Sequence, residues 1–289
     1  MTATIIDGKR IAADIRGEVS ERVRALTGRG VTPGLAAVLV GDDAPSKIYV
    51  GGKQKASAEV GIRSKRIDLP ADVGQAELVA EIERLNADAD VHGILVQLPF
   101  PPHIDVTAVH EAIAPDKDVD GLTPVSVGRM VRGEPIFLPC TPLGIIELLV
   151  RSDISIERAE VVIVGRGSLV GMPLAIMLAQ KAKHANATVT MCHTGTRDLR
   201  AHTRRAEILV VAAGRPGTIT ADMVSQGATV VDVAVNRRGD GKLVGDVEFP
   251  EVAQVAGAIT PVPGGVGPMT IAMLLSNTVK AAERTLGTA

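Results

Sequence analysis

Short apolar runs alternate with segments of helical periodicity along almost the whole chain, and this alternation limits the fold more than any other feature. Ile11, Ile15, Val19, Val23 and Leu26 recur at helical spacing, which predicts an amphipathic helix over about residues 9–28. Thr32-Pro33-Gly34 breaks it, and residues 35–40 then form an apolar run closed by Gly41, the length of a buried strand. A helix starts at Pro45-Ser46 and runs to about Val60, and residues 62–69 alternate like a strand. Leu78, Ile82 and Leu85 mark a further helix, and residues 93–96 a further buried strand ended by Pro99. Strands alternating with helices predict a parallel sheet covered on both faces.

A second α/β unit begins near Pro139. Thr141-Pro142 reads as a helix start, with Thr as N-cap and Pro at the first helical position. Strands are expected at residues 161–164, 188–192, 208–212, 229–233 and 258–260, with a helix over 174–182. The tail from 270 to 286 is helical, with Ile271, Leu274, Leu275, Thr278 and Val279 on one side. A length of 289 residues suits two domains.

Composition narrows the function. Hydrophobic residues are 46% and charged residues 22%, so the chain can build a large core. That core is aliphatic, because there is no Trp, three Phe and a single Tyr, which makes Tyr49 conspicuous. The net charge is -2 and no long basic run occurs, which argues against nucleic acid and anionic membranes as partners. The two cysteines, Cys140 and Cys192, lack CxxC spacing, and the six histidines form no HxxxH or HExxH pattern, so no metal site is expected. Neither a signal peptide nor an apolar run of about 18 residues is present, and the cytoplasm is the expected compartment.

The run Val161-Val162-Ile163-Val164-Gly165-Arg166-Gly167-Ser168-Leu169-Val170-Gly171 reads as strand, glycine-rich turn and helix start. Glycine lets a backbone approach a pyrophosphate, and a helix N-terminus offers it free N–H donors. The last glycine comes one residue later than in the GxGxxG fingerprint, and a plain tight βα turn is the competing reading. NAD-specific folds usually end the next strand with an acid on the ribose 2′-hydroxyl. Here it ends Cys192-His193-Thr194-Gly195-Thr196-Arg197, and Arg166 is available for a 2′-phosphate, which favours NADP. Further on, the backbone of Asp232-Val233-Ala234-Val235-Asn236 offers a wall for a nicotinamide.

In the first unit, Ser46, Tyr49 and Lys53 lie at i, i+3 and i+7, on one face if the stretch is helical. Gly51 and Gly52 between them each cost a helix about 1 kcal/mol relative to Ala, which suggests close approach by something or a weaker helix. Gln97 ends a buried strand, where α/β folds bind ligands, and Lys117-Asp118-Val119-Asp120-Gly121 is an acidic loop with a turn glycine. Taken singly, these also fit a surface helix with Lys53 in water, a strand-end cap and a solvated turn.

Together they carry a resemblance. The set Ser46-Lys47-Ile48-Tyr49-Val50-Gly51-Gly52-Lys53, Val96-Gln97-Leu98-Pro99, Lys117-Asp118-Val119-Asp120-Gly121, Pro139-Cys140-Thr141-Pro142, Gly165-Arg166-Gly167 and Pro263-Gly264-Gly265-Val266-Gly267-Pro268-Met269-Thr270 resembles the bifunctional methylenetetrahydrofolate dehydrogenase/methenyltetrahydrofolate cyclohydrolase family. The motifs stand in the family's order from about Asp7 to Asn277. The resemblance implies that Lys53 is the catalytic acid/base, that Tyr49 packs against the folate ring system, that Gln97 contacts and tunes the lysine, and that Asp120 hydrogen-bonds the pterin. It further implies that Pro263, Gly264 and Gly265 border the folate, and that Gly165, Arg166, Gly167, Thr194 and Val235 contact NADP. On this basis residues 1–138 plus 270–289 are expected to form a folate-binding catalytic domain, with the C-terminal helix returning to it. Residues 139–269 are expected to form a Rossmann-type NADP-binding domain. Three departures stand out: Gly167 where the family usually has Ser, His92 where Asp is usual, and Ala234 where Gly is usual.

The implied activity is NADP-dependent oxidation of 5,10-methylenetetrahydrofolate to the methenyl cation, followed by hydrolysis to 10-formyltetrahydrofolate. A cytoplasmic homodimer serving purine, methionine and histidine biosynthesis is implied as well. A free lysine, with a pKa of roughly 10.4, is a poor base at neutral pH, and burial beside a cationic substrate lowers that value. A neutral Gln97 orients the amine without restoring its charge. Two other readings compete: a dehydrogenase of another small substrate on the same plan, such as a shikimate or amino-acid dehydrogenase relative, and a folate- or nucleotide-binding protein that has lost catalysis.

Overall fold

The computed structural model describes residues 2–287, and they divide into two units. One comprises residues 13–140 together with the chain from Ile271 onward; the other comprises the chain up to Ala12 together with residues 141–270. The N-terminal stretch, expected with the first unit, therefore groups with the second. The opening strand β1 (Thr4–Ile5) accounts for this below, and helix α1 (Gly8–Thr27) follows it.

The first unit is built on β2 (Gly34–Val40), in which all seven residues are buried. After β2 come α2 (Ala44–Glu59), β3 (Arg63–Leu69), α3 (Gln75–Ala87) and β4 (Gly93–Gln97), then α4 (Val106–Ala112) and α5 (Pro124–Val131). The sheet order is β3-β2-β4, with β2 parallel to both neighbours. A central strand shielded on both faces explains why β2 is continuously apolar rather than alternating. Leu78, Ile82 and Leu85 of α3 are fully buried with Ala36, Val38, Ile94 and Val96, each large side chain contributing about 1.5–3 kcal/mol by its burial. The register pairs Leu39 with Gln97, which puts the Gln97 side chain at the C-terminal edge of the sheet.

Helix α2 starts where Pro45-Ser46 predicts, and its cap is Asp43, whose carboxylate accepts from the Ser46 amide at 2.9 Å. The helix continues through Gly51 and Gly52. A Cβ at Gly51 would meet nothing within 4 Å, and one at Gly52 only the tip of Ile271 at 3.9 Å, so no protein atom presses on either glycine.

The second unit runs through α6 (Cys140–Val150), β5 (Glu160–Val164), α7 (Gly171–Ala179), β6 (Thr188–Cys192), α8 (Leu199–Thr203), β7 (Ile208–Val211) and β8 (Thr229–Asp232). It then passes through β9 (Asn236–Arg237), β10 (Leu243–Val244), α9 (Phe249–Val252) and β11 (Ala258–Ile259), and α10 (Val266–Thr285) begins in it and belongs to the first unit from Ile271 onward. Two expectations shift here. Helix α6 begins at Cys140, so Thr141 is inside the helix rather than its cap, and its hydroxyl meets that of Thr270 at 2.9 Å. Helix α7 starts earlier than the apolar periodicity showed and ends at Ala179, after which the Ala182 amide bonds to the Gln180 carbonyl in a turn.

Six strands form a parallel sheet in the order β1-β11-β8-β7-β5-β6. Strand β1 extends it by pairing Thr4 with Ala258 and Ile5 with Ile259, which is what draws the N-terminus into this unit. The strands β9 and β10 form a separate antiparallel pair. Strand β5 has β6 on one side and β7 on the other, so the chain's direction of winding reverses at β5. In open α/β sheets the ligand crevice lies at the carboxyl ends of strands at such a reversal.

Candidate active site

Helix α2 and strand β4 of the first unit meet at one amine. Lys53 projects from α2 and is 5% exposed, although most lysines sit in water. Its Nζ donates to Gln97 Oε1 at 2.9 Å and stands 4.7 Å from the centroid of the Tyr49 ring, one helical turn back. Gln97 Nε2 donates to the Leu98 carbonyl at 2.7 Å, and this second bond sets the amide so that its oxygen faces the lysine. Tyr49 keeps an exposed ring, while Ser46 is buried with its hydroxyl on Asp43 at 2.6 Å.

The electrostatics follow from burial. Removal from water pushes the Lys53 amine below the ordinary lysine range, opposed by the negative charge of Asp120 and by Cys140. Burial likewise pushes the Asp120 carboxyl up, opposed mainly by Lys53. Burial thus acts against the charged form of each member of this opposite-charge pair, and each charge opposes that effect on the other. A buried amine coupled to a buried carboxyl is a pairing suited to acid–base chemistry.

The loop that presents Asp120 is tightly specified. The buried Asp118 carboxylate accepts from the amides of Leu122, at 3.2 Å, and Thr123, at 2.9 Å, so it serves the turn. Gly121 takes a positive φ of 70°, and a Cβ there would sit 2.7 Å from the backbone at Leu138 and Pro139. Cys140 is buried, donates its thiol to the Val119 carbonyl at 3.3 Å and lies against Asp120. No sequence pattern marks a lone cysteine for such a place.

The other candidate residues stand on the second unit, at the carboxyl ends of its strands. Gly165 closes β5 with φ 127°, and its amide donates to the Cys192 carbonyl at the end of β6 at 2.9 Å. That bond sets Arg166 beside the turn carrying Thr194, whose shape comes from the His193 amide on Thr196 Oγ1 at 2.8 Å. Arg166, Gly167 and Thr194 are all exposed, and the first acid after β6, Asp198, is used as the cap of α8. A Cβ on Gly165 would run into the Ala212 carbonyl, and one on Gly171 into the Gly165 carbonyl. The one-residue offset of the third glycine therefore serves helix–strand packing. No side chain caps the N-terminus of α7. A glycine cradle, an uncapped helix start and an exposed guanidinium fit a phosphorylated dinucleotide.

Val235 lies beyond β8 and is 56% exposed. The turn around it hangs on two buried carboxylates, Asp232 and Asp246, whose role the sequence does not show. Asp232 accepts from the amides of Asp246 and Val247 at 3.0 Å each. Asp246 accepts from Ala213 at 2.7 Å, Gly214 at 2.8 Å and Asn236 Nδ2 at 2.9 Å. Burial pushes the Asp232 carboxyl up to about 7. Pro263, Gly264 and Gly265 follow β11 in this same unit, with the Lys9 side chain over Gly264 and the Gly265 amide on the Pro261 carbonyl at 2.8 Å.

Comparison with known proteins agrees with both halves of this picture. The family described as tetrahydrofolate dehydrogenase/cyclohydrolase, catalytic domain, matches residues 6–120. Its NAD(P)-binding domain matches residues 139–286. The chain is 54% identical over 286 residues to the bifunctional protein FolD of Bordetella avium, covering 99% of each. Among solved structures, the bifunctional FolD methylenetetrahydrofolate dehydrogenase/cyclohydrolase of Campylobacter jejuni superposes with a TM-score of 0.95 at 48% identity, covering 98% of this chain and 99% of that one. The methylenetetrahydrofolate dehydrogenase-cyclohydrolase of Trypanosoma brucei, solved with NADP and an inhibitor, gives 0.93 at 41% identity, covering 99% of each.

Proposed function

The chain belongs to the tetrahydrofolate dehydrogenase/cyclohydrolase family, and from that premise we propose that it oxidises 5,10-methylenetetrahydrofolate with NADP and then hydrolyses the methenyl product to 10-formyltetrahydrofolate. The observation that carries the reading is the buried Lys53 amine held on Gln97 Oε1. Gly165, Arg166, Gly167 and Thr194 would hold the dinucleotide, Arg166 on the 2′-phosphate, and Val235 would border the nicotinamide. When bound, NADP supplies the acceptor for the hydride that leaves the methylene carbon.

The chain's own groups serve the second reaction. Lys53, whose proton burial loosens, removes a proton from the water that attacks the methenyl carbon. The carbon–N5 bond then breaks, N5 takes a proton, and one proton in total leaves to solvent as the cationic substrate becomes the neutral formyl product. Gln97 positions the amine and adds no charge, while the exposed Tyr49 ring offers a face to the folate rings. Asp120 anchors the pterin. On family membership alone, Pro263, Gly264 and Gly265 border the folate. Cytoplasmic location, a homodimeric assembly and supply of purine, methionine and histidine synthesis belong to the same proposal, on family membership alone. Among the described residues no helix is long and apolar enough to cross a membrane.

The test is spectroscopic. Methylenetetrahydrofolate and NADP mixed with the protein should give methenyl absorbance that rises and then decays to the formyl product. No absorbance change above buffer would sink the proposal.

A further inference from the structure

Asn277 belongs to α10 and is 5% exposed, although nothing in the chemistry above uses it. Its side-chain amide has two hydrogens, and both are spent on the segments that flank Asp120. Nδ2 donates to the Val119 carbonyl at 2.8 Å and to the Leu138 carbonyl at 3.1 Å, and it stands 3.7 Å from Cys140 Sγ. The Val119 carbonyl also receives the Cys140 thiol, so both its lone pairs are occupied. The Val119 side chain is fixed on its other side, since a Cβ on Gly93 would press to 2.7 Å from it. The residue just before Asp120 is therefore clamped from both directions. The residue just after it, Gly121, is packed on the Leu138-Pro139 backbone, whose Leu138 carbonyl is the second one Asn277 holds.

We propose that Asn277 is a positioning residue: by joining the Val119 and Leu138 carbonyls it sets the Asp120 carboxyl against Lys53 and against the substrate. The inference rests on the folate reading above, because the consequence is read through Asp120. Only an uncharged group with two adjacent donors satisfies two carbonyls at once, which singles out a primary amide. Aspartate, the same size, has no such donors and would face both carbonyls with lone pairs.

The groups that set the charge state of the pair are few. Lys53 faces Asp120, Cys140 and the Tyr49 ring; Asp120 faces Lys53, Cys140, Asp118 and His110. The Asp120 charge raises the affinity of Lys53 for its proton. Displacing Asp120 should therefore move the cyclohydrolase pH profile to lower pH, a change that simple loosening of the fold would not give.

The experiment compares Asn277→Ala with the unmodified enzyme in both reactions, with circular dichroism as the check of folding. The expected result is a rise in KM for methylenetetrahydrofolate of about tenfold, the scale of one weakened hydrogen bond to a charged group. The KM for NADP should stay unchanged, and the cyclohydrolase profile should shift to lower pH. Added to Asp120→Ala, the Asn277→Ala change should raise the folate KM no further, because both act through one carboxyl. Should Asn277→Ala not fold, Asn277→Ser, which keeps one donor, is read in the same way. A folded variant with unaltered folate KM and pH profile, or full additivity with Asp120→Ala, overturns the proposal. Inactivity of the unmodified chain would instead overturn the folate reading itself.

Discussion

Lys53 and Gln97 meet as amine and amide, Nζ to Oε1 at 2.9 Å, and the Gln97 amide is locked in that sense by the Leu98 carbonyl. The partner of the buried amine is therefore neutral by construction. Gln97→Glu would keep the contact and add a charge. A carboxylate at this distance raises a lysine pKa by about 1–3 units, so the neutral amine at pH 7 should fall by roughly tenfold or more. We expect cyclohydrolase activity at pH 7 to drop in proportion, with recovery as pH rises. A pH profile that does not move would show that the charge on Lys53 does not limit hydrolysis.

Arg166 and Thr194 are both exposed, and no acid caps β6. Arg166→Ala should raise the KM for NADP by about ten- to a hundredfold, the equivalent of a charged hydrogen bond of about 1.5–3 kcal/mol. The KM for NAD should change little. Equal effects on the two would remove the 2′-phosphate from the guanidinium.

Gly167 and Gly171 look alike in the sequence and differ in space. A Cβ at 167 meets nothing within 4 Å, whereas one at 171 collides with the Gly165 carbonyl. Gly167→Ser should leave stability within about 0.5 kcal/mol and tighten NADP by adding a hydroxyl. Gly171→Ala should cost about 1–3 kcal/mol and weaken NADP, because backbone cannot step aside as a side chain can. Denaturant midpoints together with NADP titrations check both.

Asp232 makes stability depend on pH. Its folded pKa of about 7 is above the unfolded value of 3.8, so the protonated folded state is favoured. This contribution is complete below the unfolded value and is lost as pH rises toward and through about 7. Its full size is of the order of a few kcal/mol. Asp232→Asn should be less stable at low pH, having one acceptor fewer for the Asp246 and Val247 amides, and should show a flatter stability between pH 5 and 8. Urea midpoints at the two pH values measure this; an unchanged difference between them would show that the slope arises elsewhere.

Much of the fold and of the site is legible in the sequence, for a physical reason. Residues 35–40, 93–96 and 161–164 are buried on both faces, so their apolar character is continuous, and Gln97 is conspicuous as the first polar residue at the end of such a run. Tyr49 and Lys53 are one helical turn apart, so local periodicity suffices to pair them. The features that escaped depend on long-range contacts. β1 is two exposed residues and acquires meaning only beside β11. Cys140 and Asn277 are single polar positions in apolar surroundings, and their partners at Val119 are 21 and 158 residues away. Asp118 and Asp120 are indistinguishable as letters, yet one serves its own turn and the other faces Lys53. The Thr141 cap failed because α6 opens one residue earlier, at Cys140.

The central claim is that one buried lysine serves the chemistry on the folate carbon. The rate of methenyltetrahydrofolate hydrolysis by folded Lys53→Met tests it most directly. Methionine keeps the length and apolar stem of the side chain and removes the amine, so hydrolysis should fall to the rate of buffer alone. Hydrolysis at the rate of the unmodified enzyme would contradict the assignment of Lys53 as the acid/base.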